Sequence, residues 1–146
     1  RNEHPEIPLQ FHVFGEGQLE EELKNLSKLL KLTSHVSFHG HRMDIRNCIY
    51  GLDAIVMCSD HEGLPMTALE SIVIGTPLIA HNVGGLAEVL KSSPSTLVSS
   101  HTPVMYSKKV LEVITDSTGM TDLPECYHIE RTASKVYESY TSIVLG

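Results

Sequence analysis

Residues 53–82 read DAIVMCSDHEGLPMTALESIVIGTPLIAHN, and their hydrophobic pattern changes character twice. DAIVMC (53–58) is a continuous apolar run too short for a helix. Such runs belong to strands covered on both faces, as in a parallel sheet. Pro65 then suits a first helical position and Gly75 a C-terminal cap, which predicts a helix between them. TPLIAHN (76–82) is a second buried strand. A buried strand, a helix and another buried strand in close succession form the crossover unit of a parallel α/β sheet.

The flanking sequence extends this alternation. LQFHVF (9–14) reads as a strand ended by GEG. QLEEELKNLSKLLKL (18–32) places Leu19, Leu23, Leu26, Leu29 and Leu30 on one face and charges opposite, an amphipathic helix. HVSFHG (35–40) is a short strand closed by Gly40, and MDIRNCIYGL (43–52) a short helix that Gly51 stops. Downstream come a helix at 85–91, a strand at 95–100, a helix at 103–116, a connector at 117–125 and a last helix at about 128–144 that Tyr137 and Tyr140 help to pack. Strand and helix alternate five times with short links. The predicted fold is a doubly wound parallel α/β sheet with helices on both faces. Residues 1–146 are expected to form one domain.

Composition narrows the function. The net charge of -7 argues against nucleic acid or an anionic membrane as partner, since both need clustered Lys and Arg. No apolar run approaches the roughly 20 residues of a spanning helix, and the start has no secretory apolar region. Cys48, Cys58 and Cys126 are an odd number without metal-like spacing, which predicts reduced thiols in a cytoplasmic compartment. Cys58, ending a buried strand, is expected to fill core. His39 and His41 flank Gly40 with no third ligand at a recognisable spacing, so no metal is expected. The opening RNEHPEIP lacks Met and runs straight into a strand, as in a domain cut from a longer protein.

In doubly wound sheets ligands bind beyond the carboxyl ends of the strands. SDHEG (59–63) lies there, and the helix after Pro65 points its amides and positive dipole end the same way. Met66, Ala68, Leu69, Ile72, Val73 and Ile74 cover most of that helix, so it is expected to be largely buried. Thr67, Glu70 and Ser71 fall at i, i+3 and i+4, one narrow polar stripe. A buried carboxylate without partners is costly. Two readings stand. Either the stripe faces a cleft, where Glu70 meets hydroxyl donors and Glu62 stands above it, or Glu70 is a solvent-facing residue and Glu62 a dipole-complementing acid. Gly84 and Gly85 likewise serve either a loop with positive φ or a close backbone approach to ligand.

SDHEGLPMTALESIVIGTPLIAHNVGGLAEVL (59–90) resembles the donor-binding half of retaining glycosyltransferases of the GT-B type. The shared pattern is two glutamates with seven residues between them, Glu62 and Glu70, then GTP at 75–77 and VGGLAEV at 83–89. FHVFGEGQLEEEL and HVSFHGHRMDI also look like the family's preceding strands and loops, so the resemblance spans roughly residues 5–116. It implies a nucleotide sugar, linked to UDP or GDP, as donor substrate, with no cofactor and no metal. It implies that Glu62 hydrogen-bonds the donor sugar and serves catalysis, and that Glu70 accepts from both ribose hydroxyls, matching two oxygens to two neighbouring hydroxyls. Gly63, Leu64, Pro65 and Met66 then line the sugar and diphosphate, and Gly40, His41, Arg42 and Asp44 hold the nucleobase. Pro65 replaces a glycine found in many relatives and has no amide hydrogen to donate. The family's diphosphate-gripping Arg and Lys fall before residue 1. The resemblance therefore implies a donor-binding module, lacking its first strand and inactive alone. Its expected partners are its own N-terminal acceptor domain and a glycan or lipid-linked acceptor. Its expected location is the cytoplasm, with the full-length enzyme allowed a peripheral place at the membrane. The alternatives are a non-catalytic binding module on the same fold, or another sugar-nucleotide enzyme such as an epimerase.

Overall fold

A computed structural model describes residues 7–91, 96–115, 127, 128, 131, 133–135 and 138. The chain forms two compact units, Arg1–Ile45 and Arg46–Gly146. In the first, β1 (Phe11–Val13) is followed by α1 (Glu20–Leu29) and β2 (Val36–Phe38). The two strands pair in parallel, Phe11 opposite Val36 and Val13 opposite Phe38. α1 is shorter than its sequence pattern, and it turns an unexpected face inward. Ser27 is its buried residue, Lys24 lies with its ammonium 5.9 Å from the Phe38 ring centroid, and Leu19, Leu23, Leu26, Leu29 and Leu30 are all exposed. A sheet of two three-residue strands is too small to cover five leucines.

The second unit contains most of α2 (Ile45–Tyr50), then β3 (Ile55–Met57), α3 (Met66–Ile74), β4 (Leu78–His81), α4 (Gly84–Val89), β5 (Leu97–Val98) and α5 (Pro103–Thr115). Its sheet is parallel in the order β3-β4-β5, with Ile55 opposite Leu78 and Ala80 opposite Leu97. Leu78, Ile79 and Ala80 are all fully buried although successive side chains point to opposite faces, so the central strand is covered on both sides. Ala68 and Ile72 of α3, Leu86, Val89 and Leu90 around α4, and Leu78 and Ala80 of β4 form one apolar cluster.

The α/β class with parallel strands and intervening helices is as expected. Among the described residues the strands pair as a doublet and a triplet. Pro65 is the residue before α3 rather than its first helical residue, with an extended φ of -73° and ψ of 119°. Gly75 ends the helix as predicted. Its φ of 92° is left-handed, and its N–H bonds back to the Ser71 and Ile72 carbonyls. α3 is less buried than its composition suggests, because Met66 and Val73 are exposed. Ser71 does not join a polar stripe. It is fully buried, and its hydroxyl donates to the Thr76 carbonyl, while Thr76 Oγ1 donates to the Ile49 carbonyl at 2.9 Å. These two bonds tie the end of α3 and the entry of β4 to α2. Cys58 is exposed rather than core. The connector at 117–125, Cys126, Tyr137 and Tyr140 lie outside the described residues. Among those described, no helix is long and apolar enough to cross a membrane.

Candidate functional site

The second unit presents the Ser59–Pro65 loop just beyond the carboxyl end of β3. Ser59 Oγ donates to Glu62 Oε1 at 2.6 Å, which holds the half-buried carboxylate against its own loop. The backbone behind Glu62 is held by the glycine pair that opens α4. The Gly85 N–H donates to the Gly63 carbonyl at 2.9 Å and lies 3.4 Å from that of Glu62. A Cβ on Gly84 would stand 1.9 Å from the Glu62 carbonyl oxygen, and one on Gly85 1.9 Å from that of Gly63. Gly84 also has a φ of +49°. Glycine is required at both positions because two backbones meet there. The close approach is to the glutamate loop. Gly63, Leu64 and Met66 are exposed, and Pro65 is half-buried between them.

Glu70 lies on the open side of α3, one turn after Met66 and one turn before Val73, both exposed. Its side chain keeps 22% exposure, and Arg46 Nε approaches its Oε1 at 3.4 Å from α2. Arg46 is 77% exposed, so the pair is long, solvated and weak. Glu70 is thus neither an unpartnered buried acid nor a free surface one. No local sequence pattern links positions 46 and 70, because β3 separates α2 from α3 in the chain.

Gly40, His41, Arg42 and Asp44 belong to the first unit. Gly40 has a φ of +62°, and its carbonyl accepts from the Gly15 N–H at 2.8 Å. The His41 N–H donates to Glu16 Oε1 at 3.3 Å. Arg42 grips Asp44 through Nε and Nη2, at 2.8 and 2.7 Å. That bidentate hydrogen bonding from the guanidinium holds the Asp44 carboxyl below its usual range. The loop therefore offers a charge-paired surface with its backbone already turned.

Three residues that the sequence does not single out gather at the ends of the triplet sheet. His81 closes β4, while Asp60 and His101 follow β3 and β5. His81 and His101 approach edge to face, at 4.5 Å between centroids, and Tyr106 packs edge-on against His101. The Tyr106 hydroxyl is shielded from solvent without a hydrogen bond of standard geometry, and burial pushes its pKa up to about 12.

The comparisons agree with this architecture. The model of the family described as glycosyl transferases group 1 matches residues 2–134. The chain belongs to that family. Curated relatives include a 2-deoxystreptamine N-acetyl-D-glucosaminyltransferase of Streptomyces fradiae, 31% identical over 73% of this chain and 26% of the relative. Another is a D-inositol 3-phosphate glycosyltransferase of Paenarthrobacter aurescens, 26% identical over 100% of this chain and 39% of the relative. Among solved structures, WaaG, a glycosyltransferase involved in lipopolysaccharide biosynthesis, matches with a TM-score of 0.66 at 20% identity, over 74% of this chain and 30% of WaaG. The pneumococcal O-GlcNAc transferase GtfA, solved with UDP and GlcNAc, matches with a TM-score of 0.64 at 21% identity, over 78% of this chain and 24% of GtfA. The chain thus spans about a quarter to two-fifths of the length of these curated relatives, and its fold is the Rossmann-like half of the GT-B architecture.

Proposed function

We propose that this glycosyltransferase domain binds the nucleotide-sugar donor of a retaining hexosyl transfer, with Glu62 on the sugar and Glu70 on the ribose. The observation that carries the proposal is the locked loop. Gly84 and Gly85 leave room for no side chain against the Glu62 and Gly63 carbonyls, so the Glu62 segment is held in one shape at the carboxyl end of the sheet, where α/β folds bind ligands. A carboxylate fixed in advance loses little freedom on meeting a sugar hydroxyl. Glu70, paired only weakly with Arg46, keeps two acceptor oxygens for two vicinal hydroxyls. The relative solved with UDP supports a uridine nucleotide as the first ligand to try. Transfer itself needs positive groups on the leaving diphosphate and an acceptor site. These roles fall to the whole protein, and the domain alone is expected to bind without turning over.

The test is a titration of the chain with UDP, GDP and their sugar conjugates, followed by amide NMR. Saturable shifts are expected along residues 62–70. Glu70→Ala should abolish the ribose-dependent part. Silence at millimolar ligand, or wild-type transfer by the full-length enzyme carrying Glu62→Ala, sinks the proposal.

A further inference from the structure

The cluster at the ends of β3, β4 and β5 stands apart from the glutamate chemistry. Asp60, His81 and His101 each offer one ligand atom, and these atoms all lie within 4.8 Å of one another. His81 Nδ1 and His101 Nδ1 are 3.0 Å apart, and Asp60 Oδ1 is 3.7 Å from His101 Nδ1. The Ser59 carbonyl oxygen faces His81 Nδ1 at 3.1 Å. These separations bracket the roughly 3.3 Å expected between neighbouring ligands on a tetrahedral ion with bonds of about 2.0–2.1 Å.

Protons serve this arrangement badly. A neutral imidazole nitrogen is a donor or an acceptor, never both. If His81 Nδ1 keeps its lone pair, that lone pair faces the Ser59 carbonyl. If it carries the proton and donates to the Ser59 carbonyl, His101 Nδ1 sets either a lone pair beside the Asp60 carboxylate or a second N–H 3.0 Å from the first nitrogen. A cation satisfies all four groups at once. We propose that Asp60, His81 and His101, with the Ser59 carbonyl, bind one divalent transition-metal ion of the zinc class. Two imidazoles, a carboxylate and a carbonyl suit zinc better than magnesium or calcium, which favour all-oxygen sets. Asp60 is 79% exposed, so the ion keeps a side open to water or ligand.

The site goes beyond donor binding and stands without it, but it touches the same loop. Ser59 gives its carbonyl to the ion and its hydroxyl to Glu62, so an ion here stiffens residues 59–62.

The test is calorimetric titration of the metal-free chain with zinc sulfate, in the absence of nucleotide, with cobalt substitution to read coordination from its visible absorption. One equivalent is expected to bind. His81→Ala and His101→Ala should each weaken it by about tenfold or more, the scale seen when metal-site groups are lost. His39→Ala serves as the comparison, because the exposed His12 and His39 rings also approach at 2.9 Å and can collect metal adventitiously; it should leave the affinity unchanged. Asp60→Asn, on an exposed loop, should weaken binding at an unchanged Tm and so covers the case in which a histidine variant unfolds. Equal zinc affinity in wild type and the His81→Ala/His101→Ala double variant, or a loss that follows His39 instead, overturns the proposal.

Discussion

The two units use their leucines in opposite ways. In the second, Leu78, Leu86 and Leu90 are at most 2% exposed and share one cluster with Ala68, Ile72 and Val89. In the first, the five leucines of the α1 region stand 45–78% exposed, while Ser27 and Lys24 of the same helix turn toward the sheet. A three-stranded sheet whose central strand is covered on both faces gives helices a floor to pack on, and a pair of short strands does not. Amphipathic pattern alone therefore says that a helix has an apolar side. Whether that side is inside depends on how much sheet lies beneath it.

The contrast can be broken by substitution. Leu86→Ala should cost about 3 kcal/mol by denaturant unfolding, through lost transfer energy and a residual cavity. A cost under about 1 kcal/mol would deny that the cluster is the second unit's core. Gly85→Ala comes next, at about 2 kcal/mol, because its methyl collides with the Gly63 carbonyl and the loop must shift. Amide shifts in Glu62 and Gly63 should accompany the loss, and their absence would separate α4 from the loop. Thr76→Val should cost about 1 kcal/mol by removing the bond to the Ile49 carbonyl. At the small end, Leu29→Ala should change stability by less than about 0.5 kcal/mol, since Leu29 is 78% exposed. A loss comparable to that of Leu86→Ala would show that the α1 face is covered in solution.

A pH measurement sharpens the comparison within the second unit. Tyr106 has its pKa raised to about 12 from an ordinary value of 10.0, mainly by burial. The folded state therefore favours the protonated phenol. Its contribution is complete below pH 10 and is lost as pH rises toward 12. Ultraviolet titration should show one tyrosine ionising late, and Tyr106→Phe should remove that step alone.

Much of the candidate site is legible in the sequence as local pattern. The Glu62–Glu70 spacing, GTP at 75–77 and VGG at 83–85 lie close together in the chain, and local runs carry their own pattern. The helix stop at Gly75 was legible for the same reason, since a left-handed residue after an apolar helix favours glycine. Ser71 was misplaced because its four-residue offset from Thr67 says which side chains share a face, not which neighbour that face meets. Its buried bond to the Thr76 carbonyl depends on how the chain turns after Gly75. Arg46 beside Glu70, and the glycine pair against the Glu62 loop, join segments about twenty or more residues apart.

The sequence by itself determined the order of strands and helices, the α/β class and the family, because hydrophobic period, turn residues and motif spacing act over a few residues. The tertiary structure alone decided which face of α1 is covered, what the Gly84–Gly85 pair is for, and that Asp60, His81 and His101 converge. Those depend on parallel strands, whose carboxyl ends lie side by side in space although a whole helix separates them in the chain.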